Sequence, residues 1–373
     1  MLLLLISLII VIVTKRRAII KSNRKIEKRY KQEISFYDSE LTRINYIYNQ
    51  LLEDKTIKQI SQNNDFSNIQ EDNKLVEQKK IELEKEDLSQ RNKKLWDMSI
   101  SIQKDKQRIS ILKKEIENKH KELTDSIQYA KRIQDAALPS TDILKETFSD
   151  YFIMWRPREI VSGDFYWMKR QDDLVIFTVA DCTGHGVPGA FMSMLGIALL
   201  NEVCANINIF TKPSDILENL RTFIITTLKQ QMGTMDPKDG MDMALCILNT
   251  KTLDIKFAGA NNPMYLVSDG ELTEFKAVRN PIGLYPKLKE FETIEAKAKK
   301  GDYIYMFSDG FPDQFSGNSH KKITYGRFKN LLIELNQKKL NSTQQQQELL
   351  NYFDNWRGDF IQMDDILIGG YQI

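Results

Sequence analysis

Glycine and proline are missing from the first 138 residues of this 373-residue chain; all 17 glycines and all 9 prolines lie from Pro139 onward. These two residues are the main builders of turns. Their absence excludes a turn-rich globule from the first third, which reads as one long helical system, and assigns the rest to a globular domain. Cysteine is also scarce. Cys182, Cys204 and Cys246 lie among apolar neighbours and have no CxxC spacing. Such a set excludes a disulfide framework and points to reduced core thiols in a cytosolic domain. An excess of either charge is lacking as well, with 53 Lys+Arg against 51 Asp+Glu. That balance excludes a chain that coats a polyanion along its whole length. A hydrophobic content of 42% excludes general disorder.

The balance is an average of two unlike parts. Residues 1–138 carry 28 basic and 21 acidic side chains; residues 139–373 carry 25 and 30. Neither part has the charge of a nucleic-acid-binding surface, and the acidic globular part repels polyanionic substrates.

Met1 to Val13 is apolar apart from Ser7, and Lys15, Arg16 and Arg17 follow Thr14. The run is shorter than the roughly 20 residues of a spanning helix. Its basic cluster comes after the apolar stretch, whereas a signal peptide carries charge before it. Nine basic residues against Glu27 alone lie between Lys15 and Lys31, which fits the positive-inside rule and contact with anionic headgroups. We expect residues 1–14 to be the end of a single-pass inner-membrane segment, with an upstream part missing and the C-terminal side in the cytoplasm. A basic juxtamembrane helical region is expected over 15–75.

A coiled-coil linker is expected over 76–138. Ile81, Leu88, Leu95, Ile102, Ile109, Ile116, Leu123, Ala130 and Ala137 recur at intervals of seven. Nine apolar positions in that register predict a parallel homodimer. The companion positions are mixed: Met98, Leu112 and Ile133 are apolar, but Glu84, Arg91, Asp105, Lys119 and Ser126 are not. A seam with so many polar layers is marginal, which suits a signal-transmitting stalk.

From Pro139 the chain alternates strand-like runs with Gly and Asp turns. Strands are expected at Tyr151–Trp155, Asp164–Lys169, Leu174–Ala180, Met243–Leu248, Leu253–Ala258, Met264–Ser268, Tyr303–Ser308 and Ile366–Tyr371. Helices are expected at Gly189–Ala205, Pro213–Gln231, Tyr325–Asn336 and Ser342–Phe353. Meandering strands with helices grouped between them predict an α+β layered domain over 139–373.

Four acidic spots share one pattern, an Asp at a strand end beside Gly or a second Asp. They are Ser162-Gly163-Asp164, Ala180-Asp181-Cys182-Thr183-Gly184-His185-Gly186, Phe307-Ser308-Asp309-Gly310 and Met363-Asp364-Asp365-Ile366. One such Asp is an ordinary turn residue. Four at the ends of apolar strands suggest a shared cleft. Clustered carboxylates repel one another and need cations between them. Oxygen donors with no Cys/His set point to Mg²⁺ or Mn²⁺, and two such ions can activate water and clamp a phosphoryl group. Cys182 near His185 is no nucleophile, because the flanking Asp181 raises a thiol pKa.

From Ser126 onward the chain resembles the SpoIIE-type branch of the metal-dependent PP2C serine/threonine phosphatases. The resemblance rests on Ile127-Gln128-Tyr129-Ala130-Lys131-Arg132-Ile133-Gln134 with Leu138-Pro139, on Val161-Ser162-Gly163-Asp164-Phe165-Tyr166, and on the Asp181, Asp309 and Asp364-Asp365 motifs in family order. It implies a sandwich of two antiparallel sheets flanked by helices around a two-ion site. Carried over by position, Asp181 would bridge both ions, Asp309 and Asp364 would join it at the first, and Asp164 and the Cys182 carbonyl would hold the second. Water activated there would attack phosphoserine or phosphothreonine in line, without a covalent intermediate. The adjacent Asp365 leaves the liganding carboxylate of that pair open. His185, four residues after Asp181, departs from the histidine acid of the eukaryotic-type enzymes. Arg156 and Arg158 are candidates to hold the phosphate or are structural, and Asp242 lines the site or caps a turn. The implied substrate is a phosphorylated regulatory protein of the anti-anti-sigma kind. In similar proteins the helix pair after the bridging Asp acts as a switch completing the metal site, so coil register is expected to set metal occupancy. The rival expectation is a catalytically silent scaffold of the same fold.

Overall fold

The computed structural model describes residues 68–205, 208, 211–231 and 239–373. The apolar segment 1–14 and the basic region as far as residue 67 lie outside the described residues. Two compact units are present, one ending at Arg108 and one running from Ile109 to Ile373.

The described part of the first unit is helical and belongs to α1 (Asn68–Ala137), which continues into the second unit. With no Gly or Pro to interrupt it, α1 extends for 70 residues. The seven-residue positions from Ile81 to Leu123 are 48–64% exposed, so this apolar row is left uncovered among the described residues. The last two positions differ. Ala130 and Ala137 are half-buried, and Ala137 and Leu138 pack on the core of the second unit. The exposed apolar row thus ends at Leu123, and the last turn of α1 packs on the domain.

After α2 (Thr141–Thr147) come β1 (Asp150–Arg156), β2 (Phe165–Gln171) and β3 (Leu174–Cys182). Helices α3 (Gly186–Val203) and α4 (Pro213–Thr227) follow. Then come β4 (Met241–Asn249), β5 (Asp254–Ala260), β6 (Met264–Ser268), β7 (Glu271–Phe275), β8 (Ile294–Lys297) and β9 (Tyr303–Phe307). The chain closes with α5 (Tyr325–Gln337), α6 (Ser342–Arg357) and β10 (Ile366–Gln372). One sheet has the order β1-β10-β9-β6-β7 and the other β2-β3-β4-β5-β8, with antiparallel pairing in both.

Three apolar clusters show the layering. One joins α3 and α4 to the second sheet, one fills the space between the sheets, and one joins α5 and α6 to the first sheet. Strand β3 explains why its sequence is so continuously apolar. Ile176, Ala180 and Cys182 face the α3/α4 layer, while Val175, Phe177 and Val179 face the other sheet. Side chains alternate along a strand, and here both faces are covered, so no position is left for solvent. Helix α3 has the length and apolarity to cross a membrane by composition alone, but half of it is buried in the fold, which makes it a core helix. The four-Gln run of α6 also has a use. Asn341 and Gln344 form a capping box, and the buried Gln345 accepts the Tyr305 hydroxyl at 2.6 Å.

The expected strands and helices are present with boundaries shifted by up to four residues. Three short elements, α2, β7 and β8, were not expected. The last two are edge strands of mixed polarity, and half-solvated edges carry a weak alternation signal.

Candidate active site

Antiparallel pairing sets the start of one strand beside the end of the next. Asp164 immediately precedes β2, Asp181 is the penultimate residue of β3, and Asp242 is the second residue of β4. Asp181 and Asp242 are register partners, so these three carboxylates share one end of the second sheet. In the first sheet Asp309 follows β9, and Asp364 and Asp365 precede its neighbour β10. Electrostatics tie the two sheet ends together: Asp365, Asp364 and Asp309 act on Asp164, and Asp309 acts on Asp181. Four distant segments therefore meet at one end of the sandwich.

Two glycines permit this approach. A Cβ on Gly163 would stand 2.5 Å from the Gly184 carbonyl oxygen and 3.2 Å from that of Cys182. The Cys182 carbonyl thus faces the loop that carries Asp164. A Cβ on Gly310 would collide with the Asp365 carbonyl oxygen.

Electrostatics are those of crowded, buried acids. Burial pushes the Asp181 carboxyl well above its usual range, and the charges of Asp164, Asp309, Asp242 and Asp364 push it further. Asp164 is raised in the same direction, first by burial and then by Asp365, Asp364 and Asp309. Asp309 is raised by burial, Asp313 and Asp364. Asp242 is lifted to about 6 by burial, against the hydrogen bond donated by Asn261 at 2.8 Å. The Cys182 thiol is pushed far up by burial and then by Asp181, as expected of a non-nucleophile.

The adjacent pair Asp364-Asp365 divides cleanly. Asp365 is 2% exposed and accepts the backbone N–H of Arg158 at 2.6 Å on one oxygen and that of Gly163 at 2.7 Å on the other. It clamps the Asp164 loop. Asp364 is exposed and accepts only the neighbouring Asp365 N–H, at 2.9 Å, among the hydrogen bonds of its carboxylate. Asp364 therefore has oxygens to offer.

The donor set suits a divalent cation in charge and chemistry. One oxygen of the buried Asp164 carboxylate, Oδ2, has no hydrogen-bond partner, and a buried orphan acceptor of this kind calls for a cation. Among the described residues, however, no three carboxylate, imidazole or thiol groups stand close enough to hold an ion as they are. The acids lie within electrostatic reach of one another, but the ligand set is open.

Other candidates sit at the rim. Arg156 Nη1 pairs with Asp354 at 2.8 Å, and its guanidinium lies over the Phe353 ring at 5.2 Å. Arg158 Nη1 donates to the Met363 carbonyl at 2.7 Å. His185 Nδ1 lies 2.8 Å from Glu159 Oε1, at the N-terminus of α3. Sequence reasoning missed three neighbours. Asp313, salt-bridged to Lys322 at 2.7 Å, acts on Asp309; its position four residues after Asp309 was the available signal. The Tyr325 hydroxyl is raised by burial and then by Asp309, Asp313, Asp181 and Asp242, so it shares the acidic environment. Asn261, in left-handed conformation at φ 56°, orients Asp242, and nothing in sequence marks it.

Comparison with known proteins agrees with this geometry. Residues 171–370 match the family described as Stage II sporulation protein E (SpoIIE). The chain is 30% identical to the SiaA-PP2C domain of Pseudomonas aeruginosa, with a TM-score of 0.61, covering 68% of this chain and 98% of that one. It is 24% identical over 193 residues to the phosphoserine phosphatase RsbU of Bacillus subtilis (strain 168). That match covers 51% of this chain and 54% of the relative, so the chain spans about half the length of that curated protein. With half of its length in the matched profile, four acidic motifs at one end of two antiparallel sheets and 30% identity to the SiaA-PP2C domain over 68% of the chain, the chain belongs to the SpoIIE family of PP2C-type serine/threonine protein phosphatases.

Proposed function

We propose that this chain is a metal-dependent protein phosphatase that hydrolyses phosphoserine or phosphothreonine in a regulatory protein and is controlled through its helical stalk. The observation that carries the reading is the meeting of Asp164, Asp181, Asp309 and Asp364 at one sandwich end, with a buried Asp164 oxygen left without a donor. Asp181 is central, since Asp164, Asp309, Asp242 and Asp364 all act on it. In this reading Asp181, Asp309 and Asp364 would hold one divalent ion, and Asp181, Asp164 and the Cys182 carbonyl would hold a second. Mn²⁺ or Mg²⁺ bound there would supply an acidified water and neutralise phosphoryl charge. The chain's own part is positional. Asp365 fixes the loop before Asp164, and Asn261 orients Asp242. His185 is turned to Glu159.

The test is turnover. The purified chain will release phosphate from a phosphoserine protein with Mn²⁺, and chelation will abolish it. The alternative is a catalytically silent scaffold of the same fold, and an absence of turnover at saturating Mn²⁺ would favour it instead. A phosphorylated anti-anti-sigma-type protein is the first substrate to try.

The organisation proposed with it is a membrane-proximal segment over 1–14, a basic region over 15–75, a stalk over 76–138 and a phosphatase domain over 139–373. The exposed row Ile81–Leu123 supports a parallel dimer, because an apolar stripe of that length is unfavourable in water. Leu95→Asp with Ile102→Asp will convert a dimer to a monomer in sedimentation equilibrium; a double variant of unchanged mass would remove the coil from the proposal.

A further inference from the structure

The ladder between β9 and β10 stops short of the acids it leads to. It ends where the Ser308 N–H donates to the Leu367 carbonyl at 2.9 Å and the Leu367 N–H to Ser308 Oγ at 3.0 Å. Asp309 and Asp364 lie past this point, so strand pairing does not set one against the other. Side-chain packing gives the segment before Asp364 little hold, since Ile361 is 65% exposed and Asp364 is exposed as well.

The backbone groups of that segment are met by side chains instead. Gln314 Oε1 accepts the Met363 N–H at 3.0 Å, and Gln314 Nε2 donates to the Ile361 carbonyl at 3.0 Å. The carboxamide thus offers one acceptor and one donor, as an adjoining strand would. Arg158 holds the Met363 carbonyl, and Gln362 Nε2 donates to the Asp364 carbonyl at 2.8 Å.

Gln314 is itself 0% exposed. Burying a carboxamide is unfavourable unless its donors and acceptor are met, and the second Nε2 donor goes to the Phe315 carbonyl at 3.0 Å. The Gln314 carbonyl accepts the Ile323 N–H at 3.1 Å and Trp356 Nε1 at 3.3 Å. A single turn joins it to Asp309, whose carbonyl accepts the Asp313 N–H at 2.9 Å. One buried side chain therefore ties the turn that begins at Asp309 to the segment that ends at Asp364.

We propose that Gln314 is a positioning residue that sets Asp364 against Asp309 beyond the end of the first sheet, and with that spacing the affinity of the carboxylate cluster for a divalent metal. The second half of this statement rests on the metal-dependent reading above; the first half does not.

The test uses the full chain with Gln314→Met, Gln314→Asn and, as a control, Gln345→Met. The control removes a buried carboxamide that bonds the Tyr305 hydroxyl and the Leu340 carbonyl, not the 361–364 segment. Amide hydrogen exchange is measured in metal-free protein, and binding of Mn²⁺ alone is measured by calorimetry. Loss of the bond to Met363 predicts that Gln314→Met speeds exchange of that amide by about tenfold and raises the Mn²⁺ Kd by about tenfold. Gln314→Asn keeps the carboxamide on a shorter stem that cannot reach both groups, and will show a smaller change of the same sign. Exchange in β3 at Val175–Val179 will stay at the wild-type rate in both. The control will leave Met363 exchange and the Mn²⁺ Kd unchanged.

Unchanged Met363 exchange in the Gln314 variants would overturn the positioning role. So would an equal rise in β3 or at Met363 in the control, which is the mark of a general loss of stability. Faster Met363 exchange with an unchanged Mn²⁺ Kd would overturn the link to metal. Wild-type protein that binds no Mn²⁺ would overturn that link together with the metal-dependent reading, and the exchange arm would still decide what Gln314 positions.

Discussion

Asp181→Ala will lose phosphoserine hydrolysis by about 1,000-fold or more in kcat/KM, the several kcal/mol that ion-held charge stabilisation supplies. Asp181 is the carboxylate on which the largest number of the other acids act, so in the proposed site it is the group both ions need. Its removal also relieves repulsion among buried acids. The variant is therefore expected to be as stable as the parent, or more so, in metal-free buffer, and to gain little from added Mn²⁺. Paired measurements of phosphate release and thermal midpoint, each with and without Mn²⁺, check both parts. Near-parent hydrolysis by this variant would end the proposed mechanism.

The second large effect separates two adjacent residues. Asp365→Ala orphans the buried Gly163 N–H, at about 1–3 kcal/mol, and the part-buried Arg158 N–H, at less. A loss of about 1–4 kcal/mol follows, visible as a thermal midpoint lower by several degrees. Asp364→Ala leaves those bonds in place and, as an exposed substitution, will stay within about 0.5 kcal/mol of the parent in stability. In the proposed site it will nevertheless abolish hydrolysis at low Mn²⁺. Denaturant melts and a metal titration of both variants make the comparison; the reverse pattern, an unstable Asp364→Ala and a stable Asp365→Ala, would exchange their roles.

Much of the fold was legible because the two-faced burial of its inner strands leaves unbroken apolar runs, as in Leu174–Cys182, and because turns between them carry Gly and Asp. The candidate acids were legible for a related reason: a charged residue at the end of such a run stands out. What was not legible depends on pairing across the sheets. Only the register between β3 and β4 reveals that Asp242 faces Asp181, and only the folded loop reveals which of Asp364 and Asp365 is engaged by backbone donors. Asp313, Asn261 and Tyr325 reach the acids through turns whose shape has no periodic signature. The seven-residue row is present on one exposed helix from Ile81 to Leu123, but its last member, Ala137, packs on the domain core, and a pattern of apolar positions does not distinguish docking from pairing.

The pairing of β1 with β10 has a consequence for synthesis. The first strand of the domain, at Asp150–Arg156, takes its neighbour from residues 366–372, and β10 in turn carries β9 on its other side. Until β10 has been made, β1 has no partner on that side and the first sheet is split between β1 and β9. Asp364 and Asp365 stand just ahead of that joining strand, so a chain cut before residue 364 lacks both the strand that unites the sheet and this pair of acids.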